Sequence, residues 1–312
     1  MPISNMDQHG VSDFVGHSNP GFPPTLQAMA DEPTWGFSVA PSFTVPGVNS
    51  VVGYRAIEGV YRGLPSSRLT FIVSLNDGLR ADDMPSETKP IPVVLAGLQL
   101  QASKVRKDRG EGVVKLAVHP LAARALFGVP AAELNAGVLD AATALGRPVS
   151  RLHEQVAEAK DWPTAFARVA HYLGGARRAA PVRSEVAFAW RLLARSRGRM
   201  PVRVVAGQVG VSPRHLATLF HREIGHTPKT VAMLMRFEYV TRRIAGAGYR
   251  GSPADLARIA VEAGYADQAH LTREFTRFAG VSPTTWLAEE FRKLQDSLQA
   301  YGSGWTRDAY DP

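Results

Sequence analysis

The sequence predicts an α+β N-terminal domain, with a small β-sheet or barrel followed by helices, and then an all-α C-terminal domain. Three changes of pattern along the chain lead to this fold class. Short apolar runs separated by turn signals fill residues 53–119. Apolar residues at helical spacing replace them over 120–180. Residues 182–298 consist of helical patterns broken by glycine or proline.

The same patterns divide the 312 residues into four regions. We expect a mobile leader over residues 1–33, where Gly and Pro interrupt any period. The α+β domain is predicted over 34–180, the helical domain over 181–300 and a short tail over 301–312. Gly174-Gly175 and the stretch Ala176–Pro181 are typical of a helix end and a linker, which sets the boundary between the two domains.

The composition excludes several functions. The chain has no cysteine, so a disulfide framework, a thiolate zinc site and a cysteine nucleophile are all excluded. The histidines of the N-terminal half show no paired spacing, and no nucleophile elbow or phosphate-cradling glycine loop occurs. We therefore predict no catalytic residue, no metal and no cofactor. No apolar run approaches the roughly 18 residues that span a bilayer, so we expect a cytoplasmic protein without membrane contact.

Positive charge is concentrated in the helical region. Residues 182–300 hold 18 Lys and Arg against 10 Asp and Glu, whereas residues 1–181 hold 17 against 16. A basic domain joined to a nearly neutral one is typical of a protein in which one part binds a polyanion.

The basic region contains an internal repeat. Ala206 and Gly210 recur as Ala260 and Gly264, at an offset of 54 residues. A longer series recurs at an offset of 55: His215, Leu216, Phe220, Gly225 and Pro228 correspond to His270, Leu271, Phe275, Gly280 and Pro283. Two copies of one supersecondary unit are too few for a solenoid and indicate two equivalent sites.

Each copy is predicted to be a helix, a tight turn and a second helix. In the first copy Val204, Val205 and Val209 are expected on the packed face of the first helix, and Gly210 permits the turn. In the second copy Leu256, Ile259 and Ala260 are expected to pack before the turn at Gly264. Ser212 and Asp267 stand where N-caps of the second helices belong, and Pro213 occupies the first helical position.

The apolar positions of the second helices define which residues face outwards. Burial of Leu216, Leu219 and Phe220 leaves one outer face, and burial of Leu271, Phe275 and Phe278 leaves the other. With their caps, the two predicted outer faces comprise Ser212, Arg214, Ala217, Thr218, His221 and Arg222, and Asp267, Gln268, Ala269, Thr272, Arg273 and Thr276.

These side chains suit the major groove of DNA. Arg can form two hydrogen bonds with guanine, Gln can form two with adenine, and Thr or Ala can contact the thymine methyl group. A helix that follows a short turn and carries such residues near its N-terminus has the geometry of the second helix of a helix-turn-helix, which lies in the major groove. Lys229, Arg236 and Arg277 are predicted to contact phosphates and to supply salt-dependent affinity.

The two units are joined by a stretch that is predicted to be helical. Apolar residues from Val231 to Ile244 lie at near-helical spacing, which favours one connecting helix over Lys229–Ala245. A rigid helix here would fix the distance between the two second helices. At a separation of one duplex turn, about 34 Å, both could enter successive major grooves on the same face of DNA. The glycine-rich run Gly246–Gly251 predicts a looser connection before the second copy.

The run Asp255–Pro283, with its Leu-Thr-Arg-x-Phe and Gly-x-Ser-Pro elements, resembles the signature of the AraC/XylS family of bacterial transcription regulators. Val211–Phe220 resembles the family's first helix-turn-helix. The resemblance covers about residues 182–300 and implies a seven-helix DNA-binding domain. It places base contacts on Arg214, Ala217, Thr218, Gln268, Ala269, Thr272 and Arg273. Residues 118–162 resemble a variable N-terminal domain of some members, a position that holds effector-binding or dimerisation functions.

The predicted function is a sequence-specific transcription regulator, activator or repressor, whose partner is double-stranded DNA at the nucleoid. RNA polymerase, a small-molecule effector in the N-terminal domain and a second copy of the chain remain open as further partners. One alternative is an architectural protein that binds DNA without reading bases. Another is a DNA-repair enzyme fused to such a domain, although thiol methyl transfer is excluded by the absence of cysteine.

Overall fold

A computed structural model describes most of the chain after the predicted leader. All described residues belong to one compact unit of the chain. They are residues 37–40, 43–81, 89–135, 137–175 and 181–301. The predicted leader, most of the predicted linker (176–180) and the tail after residue 301 lie outside the described residues.

The N-terminal region forms two antiparallel sheets. Their strands are β1 (Phe37–Val39), β2 (Val48–Arg55), β3 (Gly59–Gly63), β4 (Leu69–Ser74), β5 (Arg80–Ala81), β6 (Val93–Ala96), β7 (Ser103–Lys107), β8 (Gly112–Val118) and β9 (Val138–Asp140). The larger sheet has the order β1-β2-β8-β4-β6-β9, and the smaller has the order β3-β7-β5.

Strand β4 lies in the middle of the larger sheet and shows why these residues form it. Leu69, Phe71 and Val73 alternate with less buried residues and are fully buried, which is the period of a strand with one covered face. On one side β4 pairs with β6, with Phe71 opposite Leu95, and on the other with β8, with Phe71 opposite Leu116.

Four helices follow or interrupt the last strands of the sheet. They are α1 (Ala123–Phe127), α2 (Ala141–Leu145), α3 (Arg147–Ala157) and α4 (Trp162–Gly174), and short 3₁₀ turns cover Pro120–Ala122 and Ala131–Leu134. Apolar residues of α3 and α4 pack on the covered face of the sheet, where the Tyr172 ring stacks 6.4 Å from that of Phe71. Helix α4 ends at Gly174, as predicted.

The C-terminal region is entirely helical over its described residues. Its helices are α5 (Ser184–Arg195), α6 (Val202–Val209), α7 (Pro213–Ile224), α8 (Pro228–Tyr249), α9 (Leu256–Ala263), α10 (Gln268–Ala279) and α11 (Pro283–Tyr301). The predicted fold class, α+β followed by all-α, is confirmed.

Helix α8 is longer than predicted and passes through part of the glycine-rich run. The looser connection expected over Gly246–Gly251 is wrong as far as Tyr249, where the helix ends. Gly248 has a packing reason: a Cβ atom there would lie 2.4 Å from Cε2 of Phe291 on α11. The missing side chain therefore lets α11 lie close against α8.

One packing expectation for α6 is also wrong. Val205 and Ala206 are fully buried, but Val204 is 40% exposed and does not line the packed face. A buried pair at 205 and 206 turns residue 204 away, since successive helical residues differ in direction by about 100°.

The hydrophobic core runs without a break from the sheet into the helices. Leu69 and Leu116 of the larger sheet belong to the same buried cluster as Leu193, Phe220 and Phe275. None of the helices that the structure describes has the length and apolar character needed to cross a membrane.

Candidate nucleic-acid interface

The first helix-turn-helix unit comprises α6 and α7. Gly210 ends α6 in the left-handed conformation, with φ of +81°. The backbone N–H of Val211 then donates to the carbonyl of Ala206 at 3.0 Å, which closes the turn. Ser212 caps α7 by accepting from the N–H of His215 at 3.1 Å.

The second unit, α9 and α10, repeats these contacts residue for residue. Gly264 ends α9 with φ of +78°, and the N–H of Tyr265 donates to the carbonyl of Ala260 at 2.9 Å. Asp267 caps α10 by accepting from the N–H of His270 at 2.7 Å. The repeat in the sequence therefore corresponds to two turns with the same hydrogen bonds.

The predicted outer faces are accessible on both second helices. The caps and most of the predicted readers are exposed: Ser212, Arg214, Thr218, His221, Arg222, Asp267, Gln268, Ala269, Arg273 and Thr276. Ala217 and Thr272 are half-buried. Leu216, Leu219, Phe220, Leu271, Phe275 and Phe278 are buried on the opposite sides. The structure thus brings each predicted set together on one helix.

Two of the three predicted phosphate-contacting residues are exposed. Lys229 lies in the first turn of α8, and Arg277 lies in the last turn of α10, with its guanidinium 4.8 Å from the ring centroid of Phe278. Arg236 is placed differently. Its side chain is only 20% exposed, and Nη2 lies 3.4 Å from the carboxylate of Glu274, so its charge is already compensated within the protein.

Arg236 belongs to a buried network beneath α10. The hydroxyl of Tyr265 donates to Oε1 of Glu274 at 2.6 Å, and the guanidinium of Arg236 lies 5.1 Å from the Tyr265 ring centroid. Burial, together with this hydrogen bond to Glu274, raises the pKa of Tyr265 far above its usual value. The network connects α8, the turn before α10 and α10 itself.

A second polar network connects α8 to α9. The hydroxyl of Tyr239 donates to Glu262 at 3.0 Å, while Arg243 and Arg258 approach the same carboxylate at 3.0 and 3.1 Å. The Tyr239 hydrogen bond, assisted by the two arginines, lowers the pKa of Glu262. These contacts fix α9 relative to α8.

Residues of the N-terminal region hold the first unit. Nε of Arg124 on α1 donates to Oε1 of Glu223 on α7 at 2.9 Å. Nδ2 of Asn135 donates to the carbonyl of Ile224 at 2.7 Å, at the end of the same helix. These partners are 99 and 89 residues apart in sequence, and no local pattern indicates the pairing.

The N-terminal region also holds the second unit and α11. Arg62 on β3 donates through Nε and Nη2 to the two carboxylate oxygens of Glu289 at 2.9 and 3.0 Å. Its Nη1 donates to the carbonyl of Ala279 at 2.9 Å, at the end of α10. The backbone N–H of Ala102 donates to the carbonyl of Phe278 at 2.8 Å. The second helices of both units, α7 and α10, are thus tied at their C-terminal ends to the sheet-containing region.

Within the described residues, no group of three or more His, Asp or Glu side chains could hold a metal ion. The arrangement on α7 and α10 instead presents amide, hydroxyl and guanidinium groups on two exposed helix faces. These groups can form hydrogen bonds with base edges and phosphate oxygens.

Comparison with known families gives the class of the C-terminal domain. A family described as a helix-turn-helix domain matches residues 205–289, a span that contains both units. The chain therefore carries an AraC-type helix-turn-helix domain, the DNA-binding domain of a class of transcription regulators.

Individual similar proteins come from solved structures. The C-terminal domain of AraT, a response regulator from Geobacillus stearothermophilus, is 20% identical, covers 35% of this chain and 88% of its own, and has a TM-score of 0.32. A lysine-to-alanine variant of apo ToxT from Vibrio cholerae is 13% identical, and the alignment covers 77% of this chain and 96% of the ToxT chain, with a TM-score of 0.44. A DNA-binding transcriptional dual regulator from Escherichia coli K-12 is 18% identical, and the alignment covers 38% of this chain and 99% of the regulator's chain, with a TM-score of 0.30. No curated protein matches the sequence.

Proposed function

We propose that this protein is a sequence-specific transcription regulator that reads two successive major grooves of DNA. The observation that carries the proposal is the equivalence of the two units. The same closing hydrogen bond and the same cap geometry recur at Val211 and Tyr265 and at Ser212 and Asp267. Each unit presents an exposed helix face that carries residues able to distinguish base pairs.

The continuous helix α8 supports simultaneous reading. It has 22 residues and is therefore about 33 Å long, at about 1.5 Å per residue. Its buried residues, among them Val231, Leu234 and Ile244, pack into the common core and keep it from moving independently. A rigid connection of this length suits two readers one duplex turn apart.

The roles divide by chemistry. Arg214, Ala217 and Thr218 in the first unit, with Gln268, Ala269, Thr272 and Arg273 in the second, would contact base edges. Lys229 and Arg277 would contact phosphates and give the affinity its salt dependence. We assign no phosphate contact to Arg236, because its guanidinium is directed to Glu274.

The proposal is tested by selecting bound sequences from a random duplex library with the full-length protein at near-physiological salt. We expect enrichment of two short blocks about one helical turn apart. The variant Arg214→Ala should degrade only one block and Arg273→Ala only the other, with Arg151→Ala on α3 as a control that preserves both. Retention of DNA without enrichment would contradict sequence reading and favour the architectural alternative.

The wider role follows from this proposal. A regulator of this kind acts where the chromosome is, so we place it at the nucleoid in the cytoplasm and assign it no catalytic activity. The sheet-containing region would have a sensory or dimerisation role, and RNA polymerase would be a partner at the promoter.

A further inference from the structure

A cavity of about 350 Å³ lies where the start of β4 and the turn after β8 meet helices α5 and α8. Its size is within the range of small-molecule sites. Trp190, Met235 and Pro120 provide apolar wall, and Ser67, which is 4% exposed, lies beside them. The cavity is separate from the outer faces of the recognition helices α7 and α10, none of whose residues line it.

The side chains that line the cavity carry a large excess of positive charge. One carboxylate, that of Glu238, faces five guanidinium groups; these belong to Arg68, Arg191, Arg195, Arg197 and Arg242. Arg191 and Arg197 lie over the rings of Phe188 and Tyr239 at 5.5 and 4.7 Å. None of the five guanidinium groups forms a hydrogen bond or ion pair with any residue that the structure describes.

The single carboxylate is occupied by other partners. Oε1 of Glu238 accepts from the hydroxyl of Ser66 at 2.6 Å and from the backbone N–H of Ser67 at 2.8 Å. Its Oε2 accepts from the hydroxyl of Ser67 at 2.8 Å. The serines thus hold Glu238 against the start of β4, and both of its carboxylate oxygens accept hydrogen bonds from Ser66 or Ser67.

Arg191, Arg195 and Arg197 are exposed, and Arg242 is half-buried. Arg68 is half-buried at the start of β4. Burial lowers its pKa, and the neighbouring charge of Arg242 lowers it further, although Glu238 acts in the opposite direction. Holding like charges together in a partly enclosed space costs free energy unless an anion compensates them. The cavity therefore carries an excess of positive charge that an anion could compensate.

We propose that this cavity binds a small molecule that carries two or more negative charges, such as a phosphorylated or polycarboxylate compound. Planar guanidinium groups fit carboxylate and phosphate oxygens in pairs, and several arginines can bind one polyanion at once. The cavity favours a small ligand over the DNA backbone, because its wall includes the buried Ser67 and no residue of α7 or α10 lines it.

Such a ligand would join two parts of the molecule. It would bridge Arg68 at the start of β4 and Arg242 on α8, the helix between the two recognition units. Binding would therefore stabilise one arrangement of α8 relative to the sheet. This regulatory step rests on the proposed DNA-reading function, whereas binding of the anion does not, so the two are measured separately.

Binding is measured by titration calorimetry of the full-length protein, without DNA, at constant ionic strength. Inorganic pyrophosphate and citrate are the probes that separate phosphate from carboxylate ligands, and acetate is the singly charged control. We expect at least one of the two polyanions to bind about tenfold or more tightly than acetate. Equal binding of all three anions would overturn the proposal.

Variants locate the site. The double variant Arg68→Gln/Arg242→Gln should weaken binding of the preferred polyanion by about tenfold or more, while Arg151→Gln on the exposed surface of α3 leaves it unchanged. Glu238→Gln should tighten binding, because it removes the opposing charge but keeps an acceptor for the serines. Equal effects of the Arg68/Arg242 and Arg151 variants, or weaker binding by Glu238→Gln, would overturn the assignment.

A further measurement separates a small ligand from DNA phosphates. Affinity of the Arg68→Gln/Arg242→Gln variant for a random-sequence duplex is compared with that of the unaltered protein, with no polyanion present. We expect the affinity for DNA to change by less than about twofold, because Arg68 and Arg242 lie outside the exposed faces of α7 and α10. A loss of DNA affinity as large as the loss of polyanion affinity would mean that the arginines contact the duplex, and would overturn the proposal.

Discussion

The hydroxyl of Tyr265, in the turn before the second recognition helix, donates to the carboxylate of Glu274 on the inner side of that helix at 2.6 Å. The contact joins two residues only nine positions apart, so the turn and the middle of α10 are held in one relative position. Arg236 from α8 completes the group. The orientation of α10 therefore depends on a polar contact beneath it as well as on the apolar core.

Removal of this hydroxyl should destabilise the protein. Tyr265→Phe leaves the buried Glu274 carboxylate without its shortest hydrogen bond, and we expect a loss of about 1.5–3 kcal/mol in the free energy of unfolding. The measurement is urea denaturation at pH 7. Tyr239→Phe is the matched control: its acceptor, Glu262, is more exposed, so the loss should be smaller. Losses of equal size would contradict the importance of the Tyr265 contact.

Two arginines on α10 should differ in the kind of DNA contact they make. Arg273→Ala should cost about 1–3 kcal/mol on the selected site and relax the preference at one base pair. Arg277→Ala should weaken binding to all sequences alike and reduce the slope of log affinity against log salt by about one. Both are measured by fluorescence anisotropy over a range of salt concentrations. Interchanged behaviour would reverse the assigned roles.

Two glycines of α8 should respond in opposite ways to the same substitution. Gly248→Ala places a methyl group against Phe291 and should cost about 1–3 kcal/mol of stability. At Gly246 the nearest atom to an added Cβ is 3.4 Å away, at the end of the Arg250 side chain. Gly246→Ala should therefore stabilise the helix by about 0.5–1 kcal/mol. Thermal unfolding of both variants checks the difference, and loss of stability in both would contradict it.

His119 should make the stability depend on pH. Burial, together with the nearby charge of Arg68, lowers the pKa of His119, whose Nδ1 also accepts from the N–H of Leu121 at 3.2 Å. The unfolded chain therefore binds the proton more readily than the folded one. Stability contributed by the neutral ring is present above pH 6.5 and is lost as the pH falls below it, by at most about 1.4 kcal/mol per pH unit.

The check is urea denaturation between pH 7.5 and 5. The variant His119→Asn keeps an acceptor for the Leu121 N–H but does not titrate, so its stability should fall less over this interval. An identical pH profile for the His119→Asn variant would contradict the role of His119.

The features that could be predicted from the sequence are local ones. The caps at Ser212 and Asp267 and the turns at Gly210 and Gly264 depend on residues within one or two helical turns, and their chemistry is visible in short stretches. The apolar spacing of α7 and α10 in the same way determines which side chains face outwards. The two predicted reading faces could be assigned for this reason.

The features that could not be predicted depend on distant partners. Strand β7 contains three basic residues and a single apolar one, Val105, so it lacks the apolar signal of β4. Arg236 lies in a basic region, and only its proximity to Glu274 and Tyr265 shows that its charge is compensated. The arginine-lined cavity assembles residues from positions 49 to 242, which no local pattern connects.

The attachment of Glu223, Glu238 and Glu289 to the sheet-containing region has a consequence for protein engineering. Their partners, Arg124, the serines at 66 and 67, and Arg62, all precede residue 181. A fragment cut at the start of the helical region would expose three carboxylates and the apolar surface around them. The helix-turn-helix region therefore cannot be transplanted unchanged onto another N-terminal domain. A folded chimera needs replacements at these three glutamates or retention of this chain's own sheet.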